Sequence, residues 1–257
     1  MATPIEVQTV SVAGTTVPFE SGTRIGLLPG AIEGVETTYY LQGTGSGHTP
    51  SPHLSHGQIF FFVRGVGEIL TGDKTLQISE MAAFVARGNT PVRITATAAP
   101  LEYLEILVGL QGDEASQFRR SSPVFIRYSE CVPYTEAIKS PRTTSRTIVA
   151  PTTVPRFCMG SVNARGPDEV APHSHPMLEQ LFFGLPGNAC VVTADDAEAV
   201  LGERTLLHIP LGSRHGVRVH EDSRMHYVWM DFFRREEDLS WVQEQHRPIQ
   251  RRRSSHP

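Results

Sequence analysis

The chain has 257 residues, of which 39% are hydrophobic and 19% charged, with a formal net charge of −4. That is apolar material for one large or two small cores without disulfide staples, and the mild acidity, with no basic stripe through the body, speaks against nucleic acid as the main partner. Three cysteines, Cys131, Cys158 and Cys190, make no framework; no signal-peptide pattern opens the chain and no apolar run approaches the roughly 18 residues of a membrane span, so a soluble cytoplasmic protein with no membrane partner is expected.

Frequent glycine (22) and proline (19) punctuate short apolar runs. In chain order these cover residues 59–63, 68–70, 81–85 and 101–108. Runs of this length and spacing predict an all-β sandwich or barrel. Helix signals are few: a helical turn is expected over 111–120, and 236–245 reads as a short helix with Leu239, Trp241 and Val242 on its apolar side. Residues 121–155 are rich in Pro, Ser and Thr and contain the linker, part of which is expected to add strands to the second half. The run Arg251-Arg252-Arg253 belongs to a solvated, frayed tail.

The second half repeats the first. Gln58-Ile-Phe-Phe-Phe-Val-Arg-Gly65 matches Gln180-Leu-Phe-Phe-Gly-Leu-Pro-Gly187, each with a histidine, His53 or His175, five residues before the glutamine. Phe84-Val-Ala-Arg-Gly88 matches His208-Ile-Pro-Leu-Gly212, and both copies close on a β-rich run. A spacing of roughly 120 residues is that of a duplicated domain rather than a solenoid unit.

The chemistry gathers in the second copy: His173-Ser-His175-Pro-Met-Leu-Glu179-Gln180, then Pro210-Leu-Gly212-Ser-Arg-His215. On a strand, side chains two apart share a face, so His173 and His175 are expected to project together. With an oxygen donor from the next strand and His215 from a distant one they make a chelating set for one divalent ion, and Mn, Fe, Zn, Ni and Co all suit such donors. Glu179 and Gln180 should point to opposite faces, so only one can be the fourth ligand; alignment with Gln58 favours Gln180. The first copy has Ser51, His53, Gln58 and Pro91 at the corresponding positions and is expected to be metal-free. His48 and His56 lie near, but off register.

Two motifs here resemble the cupin superfamily. One is similar to Gly-x5-His-x-His-x3or4-Glu-x6-Gly, read at Gly166, His173, His175, Glu179 or Gln180, and Gly187, with one extra residue after Gly166. The other is similar to Gly-x5-Pro-x-Gly-x2-His-x3-Asn, read at Gly202, Pro210, Gly212 and His215, with two extra residues after Gly202 and Val219 in place of Asn. The resemblance implies an all-β bicupin of two tandem antiparallel jelly-roll barrels with few short helices. Its parts are a degenerate barrel over 1–122, a linker with exchanged strands over 123–145, a metal-binding barrel over 146–235 and a helical, frayed tail over 236–257.

The resemblance implies a metal-dependent enzyme acting on a small polar or anionic metabolite, with the metal as Lewis acid in hydrolase, lyase or isomerase chemistry. The architecture is similar to that of ureidoglycine aminohydrolases, though the ligand pattern differs from theirs. The alternatives are a cupin dioxygenase using Fe(II) and O2, and a non-catalytic metabolite-binding or sensor protein. Glu179, His208 and His226 are the acid–base candidates. Phe182, Met225, Tyr227 and Trp229 are the candidate pocket wall, and Arg218 would neutralise an anion. The expected partners are a small-molecule substrate and a second copy of the chain, in a homodimer or higher homo-oligomer.

Overall fold

A run such as Ile59 to Val63, apolar at every position, lacks the alternation of a half-exposed strand and must be covered on both faces. The computed structural model, which describes residues 5–10, 17–19, 22–87, 91–235 and 237–240, shows how. The strand His56–Thr71 buries Ile59, Phe61 and Val63 in a core shared with Leu181, Phe183 and Leu185 of the second half. Its alternate residues Phe60 and Phe62 fill the first half's own interior, with Tyr40, Phe84 and Tyr103. Two large sheets thus pack face to face, and each keeps a second core behind it. Glu102, 5% exposed, ties the halves together: it accepts from Tyr39 Oη (2.7 Å) and Arg64 Nε (2.7 Å) of the first half and from Arg204 Nε (3.0 Å) of the second.

The duplication is visible in the strand order. The first half's sheet runs Val124–Arg127, Ala82–Ala86, His56–Thr71, Val92–Gly109, Val35–Gln42, Gly22–Leu27, Val17–Phe19. The second half's large sheet runs Glu6–Thr9, Thr205–Ile209, Leu178–Gly184, Arg224–Phe233, Phe157–Arg165, Thr144–Val154, Pro133–Tyr134. The outermost strands are exchanged. Glu6–Thr9, which leads the first half, pairs antiparallel with Thr205–Ile209. Val124–Arg127, which leads the second, pairs with Ala82–Ala86 of the first. Pro133–Tyr134, inside the expected linker, joins the second half's sheet at its edge.

A further four-stranded sheet of the second half runs Asp168–His173, His215–Val219, Ala189–Ala194, Ala197–Gly202. It lies across a core from the large sheet: Val170, Cys190, Val192, Val217 and Val219 from one meet Val162, Phe182, Leu207, Ile209 and Tyr227 from the other. Functional side chains from the two sheets meet in this space.

The helical turn expected over 111–120 is the helix Glu114–Arg120, with Phe118 buried and Glu114, in its first turn, paired to Arg156 at 2.9 Å. Of the expected C-terminal helix, 237–240 are described, and Leu239 packs against the cluster of Cys158, Leu178 and Phe233. Trp241, Val242 and Arg251–Arg253 lie outside the described residues. No helix among the described residues is long and apolar enough to cross a membrane.

Candidate metal centre

His173 ends its strand directly opposite His215 in the antiparallel register, after an irregularity between Val170 and His173. His175 is not on that strand, as a simple i, i+2 argument assumes, but in the loop that follows. Its position comes from elsewhere: Gly212 N–H donates to His175 O at 3.3 Å. Gly212 has φ +75, the left-handed region that glycine adopts without cost, and Ser213 N–H closes the turn onto Pro210 O at 3.1 Å. The Pro-x-Gly turn therefore aims His215 and also pins the loop carrying His175.

The three imidazoles converge. Ring centroids lie 4.9 Å apart for His173 and His175, 4.5 Å for His173 and His215, and 5.4 Å for His175 and His215. One nitrogen from each lies within 4.8 Å of the others, and this is the one such group of three or more His, Cys, Asp or Glu side chains among the described residues. Nδ1 of His173 approaches Ala171 O (2.9 Å) and Nδ1 of His215 approaches Ser213 O (3.1 Å). A carbonyl oxygen can only accept, so Nδ1 carries the proton in both rings, and Nε2 is the nitrogen through which either neutral ring could bind a metal.

Strand parity separates Glu179 from Gln180. Gln180 and Phe182 face the cavity that holds the three histidines, while Leu181 and Phe183 face the core between the halves. The Gln180 amide nitrogen donates to Asp231 Oδ1 at 2.7 Å, and its buried Oε1 has no hydrogen-bond partner among the described residues. Such an atom costs free energy unless something takes the contact. Glu179 shares the other side with Arg156 and Phe232 and pairs with His208 Nε2 at 3.1 Å.

The acid–base candidates Glu179, His208 and His226 are thus not brought together with the three histidines. His208 alternates with Leu207 and Ile209, which face the second half's interior, and so points toward Glu179. His226 alternates with Met225 and Tyr227 in the same way; its Nδ1 approaches Pro186 O at 3.3 Å, and burial lowers its pKa. Arg218 sits outward between Val217 and Val219 and pairs with Glu198 at 2.6 Å. Met225 is in the core but not on the cavity wall, whereas Phe182, Tyr227 and Trp229 line it. Trp229 packs against Gly160, where a Cβ would come within 2.3 Å of the indole.

The cavity measures about 150 Å³. Its wall includes residues the sequence had placed in the linker: Tyr134, Glu136, Ile138 and Lys139. Glu136 and Lys139 form an ion pair, their side chains 5% and 6% exposed. The turn carrying them is fixed to the His173 strand through Ala171 N–H donating to Ile138 O (2.9 Å) and a bridge between Lys139 and Val170. Lysine usage was the available signal: of 23 lysines and arginines only Lys74 and Lys139 are lysine. Burial raises the Tyr134 and Tyr227 hydroxyls and the Cys158 thiol well above their ordinary values, so each stays protonated.

The first half keeps only about 30 Å³ at the equivalent place, lined by His53, His56, Gln58 and Pro91. The Gln58 amide nitrogen donates to Glu105 Oε1 (2.6 Å) and to the carbonyl of Ser51 (3.2 Å), the residue in the place of His173. Tyr40 and Tyr103 stack at 4.9 Å, and His48 Nδ1 meets Tyr103 Oη at 2.8 Å. His53 and His56 touch edge to face at 5.8 Å, apart from that network.

Residues 164–231 match the family model described as Cupin domain. The chain has the cupin fold. Among solved cupin-fold structures, it is similar to a Pseudomonas aeruginosa protein assigned provisionally as glyoxylate-induced, with TM-score 0.74, 10% identity and 89% of each chain covered. It is also similar to the oxalate decarboxylase of Lactobacillus farciminis, with TM-score 0.70, 13% identity, and 92% of this chain and 87% of that one covered. Procruciferin, an 11S globulin of Brassica napus, shares the cupin fold at TM-score 0.67 and 10% identity, over 90% of this chain and 85% of its own. A sequence comparison with curated proteins finds no significant match. At these identities the likeness is one of fold, and function has to be argued from the site.

Proposed function

We propose that the protein is a metal-dependent enzyme acting on a small anionic metabolite, with one divalent ion held in the second half by His173, His175, His215 and Gln180. The observation that carries this reading is the convergence of three histidine nitrogens within 4.8 Å of one another on the wall of an accommodating cavity. The orphaned Gln180 Oε1 supports the fit of an ion at this point, as do the two imidazoles whose Nδ1 protons are fixed by backbone carbonyls. All four donors are neutral, so the ion's charge is left uncompensated; a bound ion of this kind supplies Lewis acidity toward a carbonyl, a carboxylate or a water.

The chain's own groups set the rest. Asp231 orients the Gln180 amide, with its second oxygen 3.8 Å from Cys158 Sγ. Phe182, Val217, Tyr227 and Trp229 keep the cavity apolar and limit water. Glu179, His208 and His226 face away, so proton handling falls to groups inside the cavity, among which Glu136, Lys139 and Asp231 are the acidic and basic side chains besides the histidines. A small anion suits this volume and polarity, and two cupin-fold neighbours are oxalate decarboxylases, which act on a small dicarboxylate.

Elemental analysis of the purified protein tests the reading. One metal equivalent per chain, lost in His215→Ala, is expected. Two equivalents would make the first half a second site, and full retention in His215→Ala would remove the ligand assignment. Turnover under anaerobic conditions then separates Lewis-acid chemistry, which persists, from oxygenase chemistry, which stops.

A further inference from the structure

The Glu136–Lys139 pair sits on the wall of a cavity rather than in packed core. A buried ion pair returns little net stability once both charges have been desolvated, so stability alone is a weak reason for it. The ammonium has three donors. One is directed to Glu136 and one to Ser145 Oγ at 2.9 Å, which leaves one for a ligand. The turn is held rigidly at both ends. Lys139 N–H donates to Glu136 O at 3.1 Å, Ala171 N–H donates to Ile138 O, and Ser140 Oγ and Thr143 Oγ1 donate to Asp168 Oδ2 at 2.8 and 3.2 Å. Asp168 begins the strand that His173 ends, so the turn that carries the lysine is tied to the strand that carries the first histidine.

Charge counting narrows the ligand. The charged side chains on the cavity wall are Glu136, Lys139 and Asp231. With all three ionised and a divalent ion on four neutral donors, they would leave a single positive charge. One carboxylate balances it; a dicarboxylate overshoots. A cavity of about 150 Å³ is the size that holds a benzene-sized molecule, roughly six non-hydrogen atoms. The wall of Phe182, Val217, Tyr227 and Trp229 favours a ligand with an apolar part.

We propose that Lys139, positioned by Glu136 and Ser145, is the substrate-binding cation of this cavity, and that it selects small monocarboxylates whose remaining polar group faces the three histidines. This rests on the metal-enzyme reading for the role of the histidines, but the lysine's part is separable from it.

The test is binding of a panel of C2–C5 monocarboxylates, including propionate, lactate and pyruvate, against their amides and against oxalate and malonate. Ligand-observed NMR is recorded on metal-loaded and metal-stripped protein. The wild type should bind at least one monocarboxylate about tenfold or more tightly than its amide, as a charge-assisted contact requires, and more tightly than either dicarboxylate. Lys139→Met should abolish the preference over amide while leaving metal content unchanged. Lys139→Met alone leaves Glu136 buried without its partner, so the double variant Lys139→Met/Glu136→Gln is measured in parallel, with the same loss expected. Lys139→Arg should keep a preference for carboxylate. Amides binding as well as acids, a preference that survives both Lys139→Met variants, tighter binding of the dicarboxylates, or no binding by any monocarboxylate would each overturn the proposal. A wild type that takes up no metal yet shows Lys139-dependent carboxylate binding would overturn the metal-enzyme reading and leave the lysine's role standing.

Discussion

The two halves share a strand order and differ in what fills the space behind it. In the first, Tyr40, Phe60 and Tyr103 occupy the interior and Gln58 spends its amide on Glu105 and on the Ser51 carbonyl. In the second, Gln180 occupies the same place in its strand, its amide nitrogen bonds Asp231, and its oxygen is left over beside three histidines. The glutamine is thus shared by both copies, and its chemistry is decided by its neighbours. One copy ties its glutamine into a network of its own side chains and backbone and becomes a packing unit. The other leaves donors pointed into a cavity.

The largest test of that difference is His215→Ala. Metal content by elemental analysis should fall from one equivalent to near none, while the matching replacement Pro91→Ala in the first half should leave it unchanged. Glu102→Gln tests the contact that holds the halves together. Removing one partner of a buried ion cluster costs on the order of 3 kcal/mol, to be read from denaturant unfolding, with metal stoichiometry retained in the folded protein. Loss of metal with no loss of stability would reverse the roles given to Glu102 and the histidines.

Gln180→Ala and Glu179→Ala sharpen the comparison within one strand. Metal affinity, measured by competition with a chelator, should drop by roughly 10–100-fold in Gln180→Ala, the range seen when a metal site loses a supporting group. It should stay within about threefold in Glu179→Ala, since that side chain lies on the opposite face of the strand from the histidines. Equal effects would break the parity argument. The smallest expected effect concerns His226. Burial lowers its folded pKa below the ordinary histidine value of about 6.5, so its neutral form is favoured in the fold. Its contribution to stability is present above pH 6.5 and is lost as the pH falls through the folded pKa. Thermal melts over that interval should show a shallower pH slope in His226→Gln than in the wild type.

Much of this was legible in the chain. Gln58 and Gln180 with their following apolar runs revealed the duplication, and the Pro210-Leu-Gly212 turn with its histidines marked the second copy as the one with chemistry. These are local signals: a turn demands its glycine, and a chelating set demands its imidazoles within reach of one another. The acid–base and anion-binding candidates were another matter. Glu179, His208, His226 and Arg218 all have suitable chemistry in sequence, yet each points away from the cavity.

For Glu179, His208 and His226 the cause is that their strands, Leu178–Gly184, Thr205–Ile209 and Arg224–Phe233, are covered on both faces, so the apolar pattern that normally reports which side is inside is missing. The sequence by itself determined an all-β duplicated chain with a three-histidine cluster in its second copy. Only the tertiary structure decided which of Glu179 and Gln180 shares a cavity with that cluster, that Glu6–Thr9 and Val124–Arg127 change places between the halves, and that Glu136 and Lys139 come from the linker to line the cavity. Those outcomes depend on strand pairings between residues far apart in the chain, and no local spacing encodes them.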